Sequence, residues 1–87
     1  MCLRRTTSGA WLPALLLNLS DSGLLALIET RVLPAPVVRV GMRLHGLLFL
    51  EVLKGEEVEL EVARVELRGA DTLGLGCQFV PQVSKLP

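Results

Sequence analysis

A chain of 87 residues with nine basic and nine acidic side chains carries no net charge, so it lacks the broad positive field that sequence-independent nucleic-acid binding requires. Its residues are 51% hydrophobic but only 3% aromatic, which argues against a ladder of rings for stacking nucleic-acid bases. This length makes one domain, residues 1–87, near the size at which a single core is only just sufficient for independent folding, although apolar residues for that core are plentiful.

The cysteines and the start of the chain bear on its compartment. Cys2 and Cys77 are too few for a disulfide framework, and we expect Cys77 to be a small buried hydrophobe. No apolar run reaches the roughly 20 residues that a membrane-spanning helix needs. Residues 1–23 have the basic start and short apolar stretch of a signal peptide, but Pro13 interrupts the stretch and Asp21 lies in the cleavage region. We therefore expect a cytoplasmic protein without membrane insertion.

The first part of the chain is predicted to be a β-hairpin. Residues 2–7 form its first strand, a turn follows at Ser8-Gly9, and residues 10–19 form its second strand. The alternative for the segment 1–9 is an N-terminal arm. Pro13 places the second strand at a sheet edge or a bulge, because proline cannot donate to a β-ladder.

The middle of the chain alternates between apolar runs and breakers. Residues 24–30 are predicted to be a strand buried on both faces. Two prolines, at positions 34 and 36, exclude a regular helix in residues 31–42, which we predict to be a loop or an extended edge. Residues 43–53 alternate as a strand does, and Lys54-Gly55 is predicted to be the turn that follows.

The clearest alternation of the chain comes next, where Val58, Leu60 and Val62 are separated by glutamates. The phase shifts at Val62-Ala63, and a β-bulge is the simplest cause. Residues 69–71 make the next turn, and residues 73–80 form the last strand, which carries glycines at positions 74 and 76 on one face.

The strands and turns together predict an all-β fold. We expect a small antiparallel barrel of five to six strands over residues 10–80, because closure hides the sheet edges of so small a protein. The short tail, residues 81–87, holds too little apolar content for an assignment.

Few residues support catalysis or metal binding. His45 is the only histidine, and it lies within a predicted strand without a neighbouring catalytic partner. Cys2, His45 and Cys77 lack the spacing of zinc ligands, and no glycine-rich phosphate loop opens a helix. We therefore expect no enzyme activity, no metal and no cofactor. The pair Arg4-Arg5 remains a candidate for phosphate binding, because a guanidinium makes two parallel charge-assisted bonds to phosphate.

A polar turn, residues 18–23, separates two of the most apolar runs of the chain. Its residue types favour turns through side-chain bonds to nearby backbone, and glycine accepts positive φ. Asn18, Ser20 and Gly23 fit the pattern Asn/Asp-any-Ser-any-any-Gly, which resembles the second signature of the bacterial PilZ family. Residues 24–29, 41–44 and 75–80 resemble later strands of that family, so the resemblance covers nearly the whole chain.

The resemblance implies a six-stranded barrel, often followed by a helix, that binds the second messenger cyclic di-GMP. In the family, two arginines separated by three residues belong to an N-terminus that folds over the barrel, where they pair with phosphates and stack on guanine. That motif is incomplete here, because Ser8 and Gly9 occupy the positions where Arg4 and Arg5 would need their partners. The ligand-binding residues that the resemblance implies are Arg4, Arg5, Asn18, Ser20 and Gly23.

Two hypotheses of function follow. The first is a cyclic di-GMP sensor, in which the turn donates directional hydrogen bonds and the N-terminus becomes ordered on binding, so that a partner meets a different surface. The alternative is a nucleotide-free, PilZ-like barrel that acts as a protein-interaction adaptor, with a contact surface among Val37, Val38, Leu47 and Phe49.

Overall fold

A computed structural model describes residues 1–5, 9–31, 38–49 and 54–81, and within these ranges every regular element is a β-strand. The seven strands pair in antiparallel fashion in one sheet of order β2-β1-β5-β6-β7-β4-β3. The strands are β1 (Cys2–Arg4), β2 (Leu12–Pro13), β3 (Leu15–Leu19), β4 (Gly23–Glu29), β5 (Arg43–Phe49), β6 (Lys54–Leu67) and β7 (Thr72–Phe79).

The two edge strands of this sheet are consecutive pieces of one extended stretch of chain. β2 pairs with β1 and β3 pairs with β4, while only Ala14 separates β2 from β3. The Ala14 amide donates to the Met1 carbonyl at 2.9 Å, so the chain leaves the β1 edge there and joins β4 at the next residue. β2 and β3 therefore share one strand position, the seven strands fill six positions, and the predicted small antiparallel barrel is confirmed.

The inside of the barrel is filled from alternate positions of its strands, as the period of two requires. The buried apolar side chains are Leu3, Leu24, Ala26, Ile28, Val38, Leu44, Leu48, Leu60, Val62, Leu73, Leu75 and Cys77. Cys77 is therefore the buried hydrophobe that the sequence predicted. Val38 belongs to this core, so its predicted place on an adaptor surface is wrong.

The strand β4 has one buried face rather than two. Leu24, Ala26 and Ile28 point into the core, whereas Leu25 and Leu27 are only half-buried on the outside. The prediction of burial on both faces is therefore wrong, because a barrel this small has a single apolar interior and its outer face meets solvent. Apolar residues occupy both faces of this segment, so the sequence shows no alternation that would distinguish the buried face of β4 from the outer one.

The predicted turn at Lys54-Gly55 is also wrong. Both residues belong to β6, where Lys54 pairs with Phe49 and Glu56 pairs with Leu48. Gly55 is thus the extra residue of a bulge, a position that favours glycine as strongly as a turn does. Residues 50–53, which connect the two strands, lie outside the described residues.

The predicted bulge at Val62-Ala63 is confirmed. Val62 pairs with Cys77 and Arg64 pairs with Gly76, so Ala63 is the extra residue on β6. The turn at residues 69–71 is also confirmed, and it is closed by the Arg68 amide, which donates to the Thr72 carbonyl at 2.9 Å. The other turn and loop predictions fall partly or wholly outside the described residues, at positions 6–8, 32–37 and 82–87.

Replacing Leu44 by Ala should lower the free energy of unfolding by about 3 kcal/mol, because the lost contacts leave a cavity in the barrel. The matched control is Leu67→Ala, for which we expect a change of about 0.5 kcal/mol or less, since the Leu67 side chain is 69% exposed whereas Leu44 is fully buried. Urea unfolding at equilibrium measures both. Equal losses would contradict the placement of the core.

Candidate functional site

The polar turn of the sequence is a tight hairpin between β3 and β4. The Ser20 amide donates to the Gly23 carbonyl at 2.9 Å, which leaves Asp21 and Ser22 at the tip. The Ser20 hydroxyl lies 3.3 Å from both the Gly23 carbonyl oxygen and the Ser22 hydroxyl. The Ser22 carbonyl accepts from the Phe79 amide of β7 at 2.9 Å, so the turn is held against the neighbouring strand.

Gly23 is required here for a different reason from the one that the sequence suggested. Its φ is not positive; among the described residues, Gly41 has that conformation, with φ 91°. A Cβ atom on Gly23 would lie 2.0 Å from the carbonyl oxygen of Cys77. The backbones of β4 and β7 therefore approach each other so closely that only glycine fits.

Beside the turn lies a groove of about 450 Å³ on the outer surface of the barrel. Asn18, Ser20 and Gly23, three of the five predicted ligand-binding residues, all line it. The rest of the lining comes from neighbouring strands and includes Leu25, Ala63, Arg64, Gly76 and Gln78. The structure thus brings together the three residues of the turn motif and adds an arginine from β6.

A cross-strand row forms the floor of this groove. Asn18 pairs with Leu25, Leu25 pairs with Gly76, and Gly76 pairs with Arg64. Strands lie about 4.8 Å apart, so the row extends roughly 14 Å from the backbone of Asn18 to that of Arg64. Gly76 contributes no side chain, and the Arg64 side chain lies over its bare backbone.

Bulges at both ends of the row aim its polar side chains outward. The register in β3 passes from the pair Leu16 and Ala26 to the pair Asn18 and Leu25, so Leu17 is an extra residue before Asn18. Ala63 is the extra residue before Arg64 in β6. Because a shift of one residue exchanges the two faces of a strand, Asn18 and Arg64 would otherwise point into the barrel.

Arg64 is held only loosely by its neighbours. Its side chain is 66% exposed, and Glu66 Oε1, 3.8 Å from Arg64 Nη2, is the only carboxylate oxygen of the described residues within 4.0 Å. Glu66 accepts instead from Arg68, at 3.2 Å from Nε and 3.0 Å from Nη2. An exposed pair at this distance contributes little to stability, so the Arg64 guanidinium can be used for binding.

The structure does not bring Arg4 to the groove. The Arg4 guanidinium lies 4.1 Å from the centre of the Trp11 ring, and its Nη2 donates to Glu57 Oε1 at 2.8 Å. From Trp11, mostly extended chain leads to Asn18 over roughly 20 Å. Arg5 lines a separate groove of about 550 Å³, together with Gly9, Ala10, Leu12 and Met42.

Two further observations concern the described part of the chain. No group of three or more His, Cys, Asp or Glu side chains there is arranged to hold a metal ion. Nor do these residues include a helix with the length and apolar character of a membrane span. What the groove offers is hydroxyl, carboxamide and guanidinium groups, which suit the binding of a polar, anionic ligand.

Neither a protein-family model, nor a curated protein, nor a solved structure matches this chain. Sequence reasoning did not identify Arg64 or Gln78 as residues of the site. Two signals pointed toward them, namely the bulge at Val62-Ala63 and the bare strip that alternate glycines leave along β7. Neither signal gives the register of β6 on β7, which places Arg64 opposite Gly76.

Replacing Gly23 by Ala should lower the free energy of unfolding by about 2 kcal/mol, because the added Cβ collides with the backbone of β7. Gly69→Ala is the matched control, since a Cβ there meets nothing within 4 Å. Chemical denaturation compares the two variants. A harmless Gly23→Ala would contradict the close approach of β4 and β7.

Burial raises the pKa of the Cys77 thiol from its ordinary value of 9.0 to about 11. Above about pH 9 the unfolded chain therefore loses this proton while the folded chain keeps it, so the free energy of unfolding should fall as the pH rises from 9 to 11. Cys77→Ala should weaken this decline, and Cys2→Ala should preserve it. Urea unfolding across this pH range measures the slope, and an unchanged slope in Cys77→Ala would contradict the assignment.

Proposed function

We propose that this chain is a cyclic di-GMP-binding signalling module of the PilZ type, without enzymatic activity. The observation that carries the proposal is the shared groove of Asn18, Ser20 and Gly23, the three positions of the turn signature. They lie on a barrel with six strand positions, the architecture that the resemblance to the PilZ family implies, and this fold also supports the proposal.

The chemistry of the groove fits a cyclic dinucleotide. Its volume of about 450 Å³ lies in the range of small-molecule sites. The Asn18 carboxamide both donates and accepts, as hydrogen bonding to the edge of a guanine requires. The Ser20 and Ser22 hydroxyls lie beside it on the anchored turn, so these groups need little reorganisation on binding.

The two N-terminal arginines have different roles in this proposal. Arg4 stacks on Trp11 and bonds Glu57, and its side chain is only 18% exposed. Release of these contacts would cost free energy before Arg4 could meet a ligand, so we assign Arg4 to the stability of the barrel. Arg5 lies at the separate groove and remains a candidate ligand residue, for which a bound nucleotide would have to reach beyond the turn.

The adaptor function is favoured by a different observation. Leu15 and Leu17 on β3 are 60% and 45% exposed, and the half-buried Leu25 and Leu27 lie beside them on β4. Contiguous exposed apolar side chains are typical of protein contact surfaces. An adaptor of this fold would therefore use the β3 surface, because Val38 is buried in the core.

Calorimetric titration with cyclic di-GMP tests the proposed function. Asn18→Ala and Ser20→Ala should each weaken binding about tenfold, because each removes a hydrogen bond to a polar ligand. Asp21→Ala is the matched control, since Asp21 lies at the tip of the same turn and is not among the residues that line the groove. Arg4→Ala, Arg5→Ala measures the contribution of the N-terminal pair.

The alternative outcomes separate the two functions. Absence of binding heat at millimolar cyclic di-GMP would contradict the sensor and favour the adaptor. Binding that Asp21→Ala weakens as much as Asn18→Ala does would place the ligand outside the groove.

A further inference from the structure

We infer that Arg64, opposite Asn18 across the groove, is the residue that pairs with a phosphodiester of the ligand. The inference rests on the proposed function and names a phosphate-binding group that neither the turn motif nor the N-terminal arginines supply. Three observations carry it: the direction of the Arg64 side chain, its weak ion pair, and the charge of the groove.

The Arg64 side chain, although mostly exposed, passes over Gly76 of the neighbouring strand β7. A Cβ placed on Gly76 would be 3.4 Å from Arg64 Cβ, 3.6 Å from Nε and 3.8 Å from Nη2. The guanidinium therefore lies over the bare backbone of β7 at Gly76, which also lines the groove. Gly76 leaves this path open: a Cβ there would be in ordinary van der Waals contact with Arg64, and a side chain longer than that of alanine would compete with Arg64 for the space.

Arg64 is less engaged than Arg4, Arg43 and Arg68, whose ion pairs are closer. Arg43 Nε lies 3.1 Å from Glu61 Oε1, Arg68 Nη2 lies 3.0 Å from Glu66 Oε1, and Arg4 Nη2 lies 2.8 Å from Glu57 Oε1. The corresponding distance for Arg64 is 3.8 Å, beyond a hydrogen bond. A phosphate can replace this contact at little cost, because Glu66 keeps its two bonds to Arg68.

The groove itself is free of negative charge among the described residues. None of those that line it is acidic, and Arg64 is the one that carries a formal charge. Glu61 lies just beyond the lining, paired in register with Gln78, but it accepts a hydrogen bond from Arg43. A single guanidinium in such surroundings matches the single negative charge of a phosphodiester and can bond two of its oxygens at once.

The test compares variants by calorimetry with cyclic di-GMP, using the full chain. Arg64→Ala should weaken binding by about 30-fold, and Arg64→Lys by about tenfold, because an ammonium keeps the charge but loses the paired geometry. Arg31→Ala is the matched control: it removes one exposed positive charge at another site and should change the dissociation constant less than about twofold. Glu66→Gln should bind at least as tightly as the parent chain.

A second readout follows the Arg64 Nε–H signal by NMR during titration with cyclic di-GMP and, separately, cyclic di-AMP, which has the same phosphodiester ring with different bases. We expect the Arg64 signal to shift at the ligand concentration that saturates the calorimetric titration. Binding of cyclic di-GMP with an unmoved Arg64 signal and an unaffected Arg64→Ala overturns the inference and leaves the proposed function intact. A shift with cyclic di-AMP alone supports the phosphodiester site and overturns the proposed function. Absence of binding heat together with absence of a shift for either ligand overturns both.

Discussion

Closure through Ala14 is the constraint on which the rest of this structure depends. The Met1 amino group donates to the Ala14 carbonyl at 3.1 Å and the Ala14 amide donates to the Met1 carbonyl at 2.9 Å. Met1 is therefore paired with Ala14, the residue at which the chain passes from pairing with β1 to pairing with β4. Beyond Ala14 the same stretch pairs with β4. One stretch of chain thus serves both ends of the sheet, and the barrel is nearly closed without a covering helix among the described residues, which suits so small a domain.

The same closure explains why the site lies where it does. A sheet of so few strands must bend sharply, and bulges provide the bend by inserting single residues. Two of these, at Leu17 and Ala63, fall at the same level of the sheet on either side of β4 and β7. Each reverses the inward and outward positions of its strand, and the first residue after each bulge is polar. Curvature and site geometry therefore have one cause.

Local sequence patterns were sufficient to predict most of the strands and the polar turn. The features that they did not predict depend on how distant strands pair. Val62-Ala63 could be recognised as a bulge because two apolar residues in succession break a clear alternation. Gly55 could not, because a glycine between apolar runs is typical of both turns and bulges. Arg4 was assigned to a ligand because neither Trp11 nor Glu57 is visible as its partner before the strands are paired. Arg64 needed three registers, β3 on β4, β4 on β7 and β7 on β6, before it could be placed opposite Asn18.

The distribution of charge reconciles the neutral composition of the chain with the proposed anion site. Along the outer surface of β5 and β6, Arg43 bonds Glu59 and Glu61, and Arg68 bonds Glu66, so most charges are compensated within a few ångströms. Such a surface has little long-range attraction for a polyanion, because the weak electrostatic field that remains around paired charges is screened by salt. Arg64 has only the weaker contact with Glu66, and it lies over a glycine in a groove whose described lining has no carboxylate. On the proposed function, a small anion that enters the groove would meet this weakly paired guanidinium, whereas a polymer along β5 and β6 would meet charges that are already paired.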